Sequence, residues 1–117
     1  MNCSASIVYS NSWTDQTSSV ESVVILTASQ ASVYRVTVAG DGLQSAGGAS
    51  VVATVIQATA NNAVSITADI TCDNPDGLTV SATGTVHLLA DQTLSFSASP
   101  NAAVENYNVY VVIEQLQ

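Results

Sequence analysis

The chain has 117 residues, of which 47 % are apolar, nine are Asp or Glu and one is Lys or Arg, for a formal net charge of −8. That length holds one domain, read as residues 1–117, around one core. The apolar content excludes a chain too polar to offset its ordering entropy. The shortage of cations, Arg35 and His87 being the only basic side chains, excludes partners bound by neutralising phosphate, so neither nucleic acid nor an anionic membrane surface is expected.

In chain order, Met1 to Ser6 show neither the basic nor the apolar region of a cleaved signal peptide. They read as an N-terminal arm ahead of a strand near 5–10. The next strand, near 20–28, contains Val23-Val24-Ile25-Leu26, and the one near 32–39 contains Val33 to Val38 and ends at Gly40-Asp41-Gly42. After the turn signal Gly47-Gly48 come strands near 50–59 and 63–72, separated by Asn61-Asn62. In the second of these, Val64, Ile66, Ala68, Ile70 and Cys72 alternate with Ser65, Thr67, Asp69 and Thr71. Asp73-Asn74-Pro75-Asp76-Gly77 is a turn, and a strand near 77–89 follows, with Leu78, Val80, Ala82, Gly84, Val86 and Leu88 on one parity. A bend is expected at Gly84. Ala90-Asp91 turns the chain into a strand near 92–98, and Ser99-Pro100-Asn101 leads to the last one, near 105–116.

Period-two alternation thus dominates, and about eight short strands in a chain of this length predict an all-β fold. The architecture expected is a two-sheet antiparallel jelly-roll sandwich. An immunoglobulin-like sandwich needs only seven strands and is the alternative, although Trp13 does not lie between two suitably placed cysteines. With one Phe, one Trp and four Tyr, the core should be thin and built from β-branched side chains. The longest apolar run, Val109 to Ile113, falls far short of the roughly 18 residues of a membrane span, so no membrane insertion is expected.

Three strands break the alternation. Val23 to Leu26, Val51 to Ile56 and Tyr107 to Ile113 carry apolar groups on both parities, so their outer faces need cover. A second subunit provides it in one reading, and loops of the same chain in the other.

The segment Val33-Tyr34-Arg35-Val36-Thr37-Val38 resembles the Tyr-Arg-Val strand of jelly rolls of the tumour-necrosis-factor and complement-C1q type, in the compact form of phage tail proteins. Gly84 to Phe96, with Ala90-Asp91-Gln92 as the turn, is similar to the family's strand-turn-strand unit. The ending Tyr107 to Leu116 is similar to its terminal strand. The family's usual Gly before the Tyr strand is replaced by Ser32-Val33, and Ala90 and Gln92 stand where its turn often has Gly. The resemblance implies a homotrimer around a three-fold axis with apical loops that bind, and the two-sided apolar run of the last strand makes Tyr107, Val109, Tyr110, Val111, Val112 and Ile113 the expected interface residues.

Catalysis needs a nucleophile with a base, a tuned acid and base, or a metal. His87 is the single histidine and sits on the polar parity of its strand, which points to solvent or an interface. No serine lies in a Gly-x-Ser-x-Gly elbow. No enzyme and no cofactor are therefore expected. Asp73 and Asp76 offer hard oxygen ligands of the kind calcium takes, but an ordinary turn accounts for the same residues, and the loop lacks spaced ligands and a distal Glu. Cys72 shares parity with Ile70 and reads as a buried thiol at a strand end. In the sharper reading, Cys3 on the arm of one subunit bonds Cys72 of the next. Asn2-Cys3-Ser4 matches the glycosylation pattern, but with no signal peptide read in Met1 to Ser6 its use is not expected.

The function expected is that of a non-enzymatic structural and binding module, homotrimeric and associated with a virion or phage tail. Its loops at 41–48, 73–77 and 100–105 would bind a glycan or protein on a host surface, or a neighbouring protein. The alternative is a self-assembling extracellular fibre subunit linked through its N-terminal arm.

Overall fold

The computed structural model describes residues 6–57, 64–72 and 80–116, which form eight strands and no helix. They are β1 (Ser6–Gln16), β2 (Val20–Thr27), β3 (Ser32–Gln44), β4 (Ser50–Gln57), β5 (Ser65–Thr71), β6 (Val80–Leu88), β7 (Thr93–Pro100) and β8 (Val104–Gln115). The expected turn at Asn61-Asn62 and the loop with Asp73 and Asp76 lie outside the described residues.

Two four-stranded sheets face each other, the first in the order β1-β8-β3-β6 and the second in the order β2-β7-β4-β5. All ladders are antiparallel: β1 with β8, β2 with β7, β3 with β6 and β4 with β5, joined by β3 with β8 and β4 with β7. The chain therefore runs as one long hairpin ribbon rolled up on itself, which is the jelly roll. The immunoglobulin alternative is ruled out, because there the first two strands share a sheet and here they lie in opposite ones.

Alternation decides what the sandwich encloses. Val36 and Val38 of β3, Val51 and Val55 of β4, Ile70 of β5, Leu88 of β6, Leu94 and Phe96 of β7 and Val109 to Ile113 at every second position of β8 have no exposed surface. Full burial of such a side chain stabilises by about 1.5–3 kcal/mol, so the fold rests on many small contributions. Trp13 adds an aromatic anchor from the first sheet, stacking on Phe96 of the second with centroids 4.5 Å apart. β1 runs six residues beyond the expected strand end at residue 10, paired with β8 as far as Gln16, and so carries Trp13 to this contact.

Gly40-Asp41-Gly42 does not end β3, contrary to expectation; the strand continues to Gln44 and stays paired with β8. Both glycines face inward, where there is no room for a side chain. A Cβ on Gly40 would lie 2.6 Å from the Asn108 carbonyl oxygen and from Ile70 Cδ1, and one on Gly42 2.6 Å from Cys72 Sγ. Nor does Gly84 interrupt its strand, since β6 pairs with β3 from Leu88 to Val80 without a bulge. Here a Cβ would meet Ile66 Cγ1 at 2.7 Å, so the missing side chain lets the edges of the two sheets close.

Gly84→Ala should cost about 1–3 kcal/mol of unfolding free energy in urea titrations, as an overpacked site does. Ile66→Ala alone should cost about 2–5 kcal/mol, and the double variant clearly less than the sum, because removing Cγ1 makes room for the new methyl. Additive costs would place the strain elsewhere.

Candidate binding surfaces

The outer face of the first sheet is polar and carries a groove. On β3 and β8, Asp41 lies directly opposite Asn108 and Leu43 opposite Asn106. Alternation turns these four side chains outward while Gly42 between them turns in. The result is a depression of about 230 Å³ lined by Asp41, Gly42, Leu43, Asn106 and Asn108. Asn108 is held at both ends of its amide: Nδ2 donates to Asp41 Oδ1 at 2.7 Å, and Oδ1 accepts the backbone N–H of Asp15 at 2.8 Å. Asp15 sits at a register shift of β1 with φ of 55°. Asp adopts this left-handed conformation more readily than most residues, and the bulge turns its N–H away from the ladder and onto the amide. One row further along the same face, Tyr110 lies opposite Ala39 and is 37 % exposed.

At the other end of this face, Arg35 and Glu114 form a two-pronged pair, Nε to Oε1 at 2.9 Å and Nη2 to Oε2 at 3.0 Å. The hydrogen bond and charge of Glu114 raise the Arg35 pKa, and the hydrogen bond from Arg35 lowers that of Glu114. Both side chains are solvated, so the pair contributes little to stability. It does occupy the chain's single Arg. His87 is exposed on the outward parity of β6, opposite Val33.

The outer face of the second sheet has the opposite character. Its central strands, β4 and β7, contain no charged residue. Val52, Thr54 and Ile56 stand beside Ser95, Ser97 and Ser99 on one side and Ser65, Thr67 and Asp69 on the other. In one row Val24, 57 % exposed, and Ile56, 36 % exposed, flank Ser95, which is only 7 % exposed.

Four of the six side chains marked as interface residues are not available to another subunit. Tyr107, Val109, Val111 and Ile113 point inward and are fully buried in the chain's own core, because the outward parity of β8 is that of Asn108, Tyr110 and Val112. Tyr110 and Val112 alone remain on the surface side. Tyr107 serves instead as a tie, its hydroxyl donating to the Ser18 carbonyl oxygen in the β1–β2 link. Cys72 is 1 % exposed beyond the end of β5, beneath Gly42, while Cys3 lies outside the described residues. Among the described residues no group of three or more His, Cys, Asp or Glu side chains is placed to hold a metal. Of the expected binding loops, 41–44 is strand, and 100–103 is shaped by Asn101, whose Nδ2 donates to the Gly48 carbonyl oxygen and whose Oδ1 accepts from Ala103 N–H.

The chain is thus an eight-stranded jelly roll with one polar, grooved face and one face whose two central strands carry no charge. No family model matches it, and no curated protein matches it in sequence. Among solved structures it is similar to the CBM22-1 xylan-binding domain from Paenibacillus barcinonensis Xyn10C, with 12 % identity and a TM-score of 0.53 over 100 % of this chain and 99 % of that one. Eiger, a TNF of S. frugiperda, superposes with a TM-score of 0.47 at 14 % identity, over 80 % of this chain and 64 % of that one. The globular domain of zebrafish complement 1qA gives 0.37 at 12 % identity, over 75 % and 63 %. The chain spans less than two thirds of each of these last two. At such identities the first likeness concerns the sandwich fold, and the other two superpose too loosely to add to it.

Burial pushes the Tyr107 hydroxyl above its ordinary pKa. A raised folded-state pKa contributes stability that is complete below the unfolded value, about 10, and is lost as pH rises through the folded value. Thermal denaturation should therefore show a decline above pH about 10 that Tyr107→Phe flattens, after a loss of about 1 kcal/mol at neutral pH from the missing hydrogen bond. An unchanged alkaline limb in the Phe variant would refute the tie.

Proposed function

We propose that this chain is a non-enzymatic binding and assembly module. In this reading it self-associates through the outer face of the second sheet and presents the first sheet to a ligand on another surface. The observation that carries it is the distribution of charge. Copies with a formal charge of −8 repel one another, yet β4 and β7 carry no charge, and Val24 and Ile56 lie exposed on that face. Along its middle two copies approach with little like-charge repulsion, and Val24, Val52 and Ile56 offer apolar area to bury. The trimer is the first arrangement to test, since the resemblance to the tumour-necrosis-factor and C1q type implies it. A virion, phage tail or other extracellular surface is the setting that goes with it. Support for binding over catalysis comes from the shallow groove and from the exposed, solitary position of His87.

Light scattering after size exclusion tests the assembly. The wild-type chain should elute as a discrete homo-oligomer, and Val24→Glu with Ile56→Glu should weaken association by at least about tenfold, as loss of a central apolar contact does. Circular dichroism of the variant should remain that of a β-sheet. A monomeric wild type, or an oligomer indifferent to both carboxylates, would overturn the proposal.

A further inference from the structure

We propose that the groove at Asp41, Leu43, Asn106 and Asn108, together with the ring of Tyr110, binds one ring of a neutral glycan. This deepens the binding half of the function proposed above by naming the site and the class of ligand.

Hydroxyl groups both donate and accept hydrogen bonds, so a sugar suits a site that mixes acceptors with donors. Here Asp41 supplies carboxylate oxygen, Asn106 supplies amide N–H and C=O, and the two are set by consecutive cross-strand pairs on one face. The Asn108 amide is already committed at 2.7 Å and 2.8 Å and holds Asp41 in place. A side chain fixed in this way loses little freedom when a ligand arrives. Leu43 gives the groove an apolar wall. Tyr110, one row away and exposed opposite the small Ala39, offers a flat, electron-rich face for the apolar, weakly positive C–H side of a sugar ring. A cavity of about 230 Å³ accommodates a single ring more readily than a drug-sized ligand.

A divalent cation fits the same residues poorly. Calcium takes six to eight oxygens, whereas one Asp41 oxygen accepts from the Asn108 amide and Asn108 Oδ1 accepts from Asp15 N–H. The donor nitrogen beside Asp41 would face the ion. Charge also selects among sugars: with a net charge of −8 and Asp41 in the groove, an acidic sugar is repelled.

The test is an NMR titration of the isotope-labelled full chain with cellohexaose, maltohexaose and lactose as neutral probes, sialyllactose as the acidic counterpart of lactose, and calcium chloride as the cation. The expected result is saturable shifts at the amides of Gly42, Leu43 and Asn106 with at least one neutral probe, in the millimolar range that so small a site permits, and a weaker response to sialyllactose than to lactose. Asp41→Asn keeps an oxygen for the Asn108 amide, and Tyr110→Ser alters an exposed residue, so both should fold. Each should weaken binding by about tenfold or more, the ratio for one lost hydrogen bond to a charged group or one lost stacking contact. No shift with any neutral probe, shifts confined to another surface, variants that bind as well as wild type, or the same shifts with calcium alone would each overturn the proposal. The oligomer mass of the same samples keeps the two proposals separate. A monomer with the groove response removes assembly alone, and an oligomer without it removes the glycan site alone.

Discussion

Close approach of β3 to β8 and to the second sheet beneath it is the constraint on which the rest depends. It holds because two inward positions of β3 carry no side chain. Any Cβ at Gly40 or Gly42 would collide with the β8 backbone, with Ile70 or with Cys72. With hydrogen alone there, the ladder runs without interruption from Tyr34 opposite Gln115 to Leu43 opposite Asn106. The same ladder buries Val109, Val111 and Ile113, lines up Asp41 with Asn108, and leaves Tyr110 on the outside beside Ala39. Core and groove are two faces of one register, and a slip of one residue would exchange them.

The second organising element is where charge is permitted. Most of a thin core's stabilisation comes from area, not from specific polar pairs, and the single two-pronged ion pair is solvated and weak. Charge therefore matters here less for folding than for what approaches. The central strands of the first sheet carry Arg35, Asp41, Glu105 and Glu114, while those of the second carry none. On the second sheet the charges, Glu21 and Asp69, sit on the edge strands β2 and β5, so like-charge repulsion is weakest along its middle.

Strand existence was legible because period-two alternation is a local property: each run from Val80 to Leu88 or Leu94 to Ala98 displays its buried side without reference to the rest of the chain. The glycines misled for an equally local reason. In sequence, Gly40-Asp41-Gly42 has the composition of a turn, and only the atoms supplied by Asn108, Ile70 and Cys72 show it to be a place of close packing. The same blindness affected the last strand. Its apolar run, Tyr107 to Ile113, reads whole as an interface, whereas Tyr107, Val109, Val111 and Ile113 are covered by the opposite sheet and the outer face needing cover comes down to Tyr110 and Val112.

By itself the sequence determined an all-β chain of eight strands, a core of Val, Ile, Leu and a few aromatics, and a strongly acidic character, because periodicity, volume and charge are carried by residues one at a time. Only tertiary structure decided that β3 lies between β8 and β6, that Asn108 reaches Asp15 across 93 positions of chain, and that Asp41, Leu43, Asn106 and Tyr110 share one face. The reason is that pairing between distant strands depends on close packing and register, which no single segment contains.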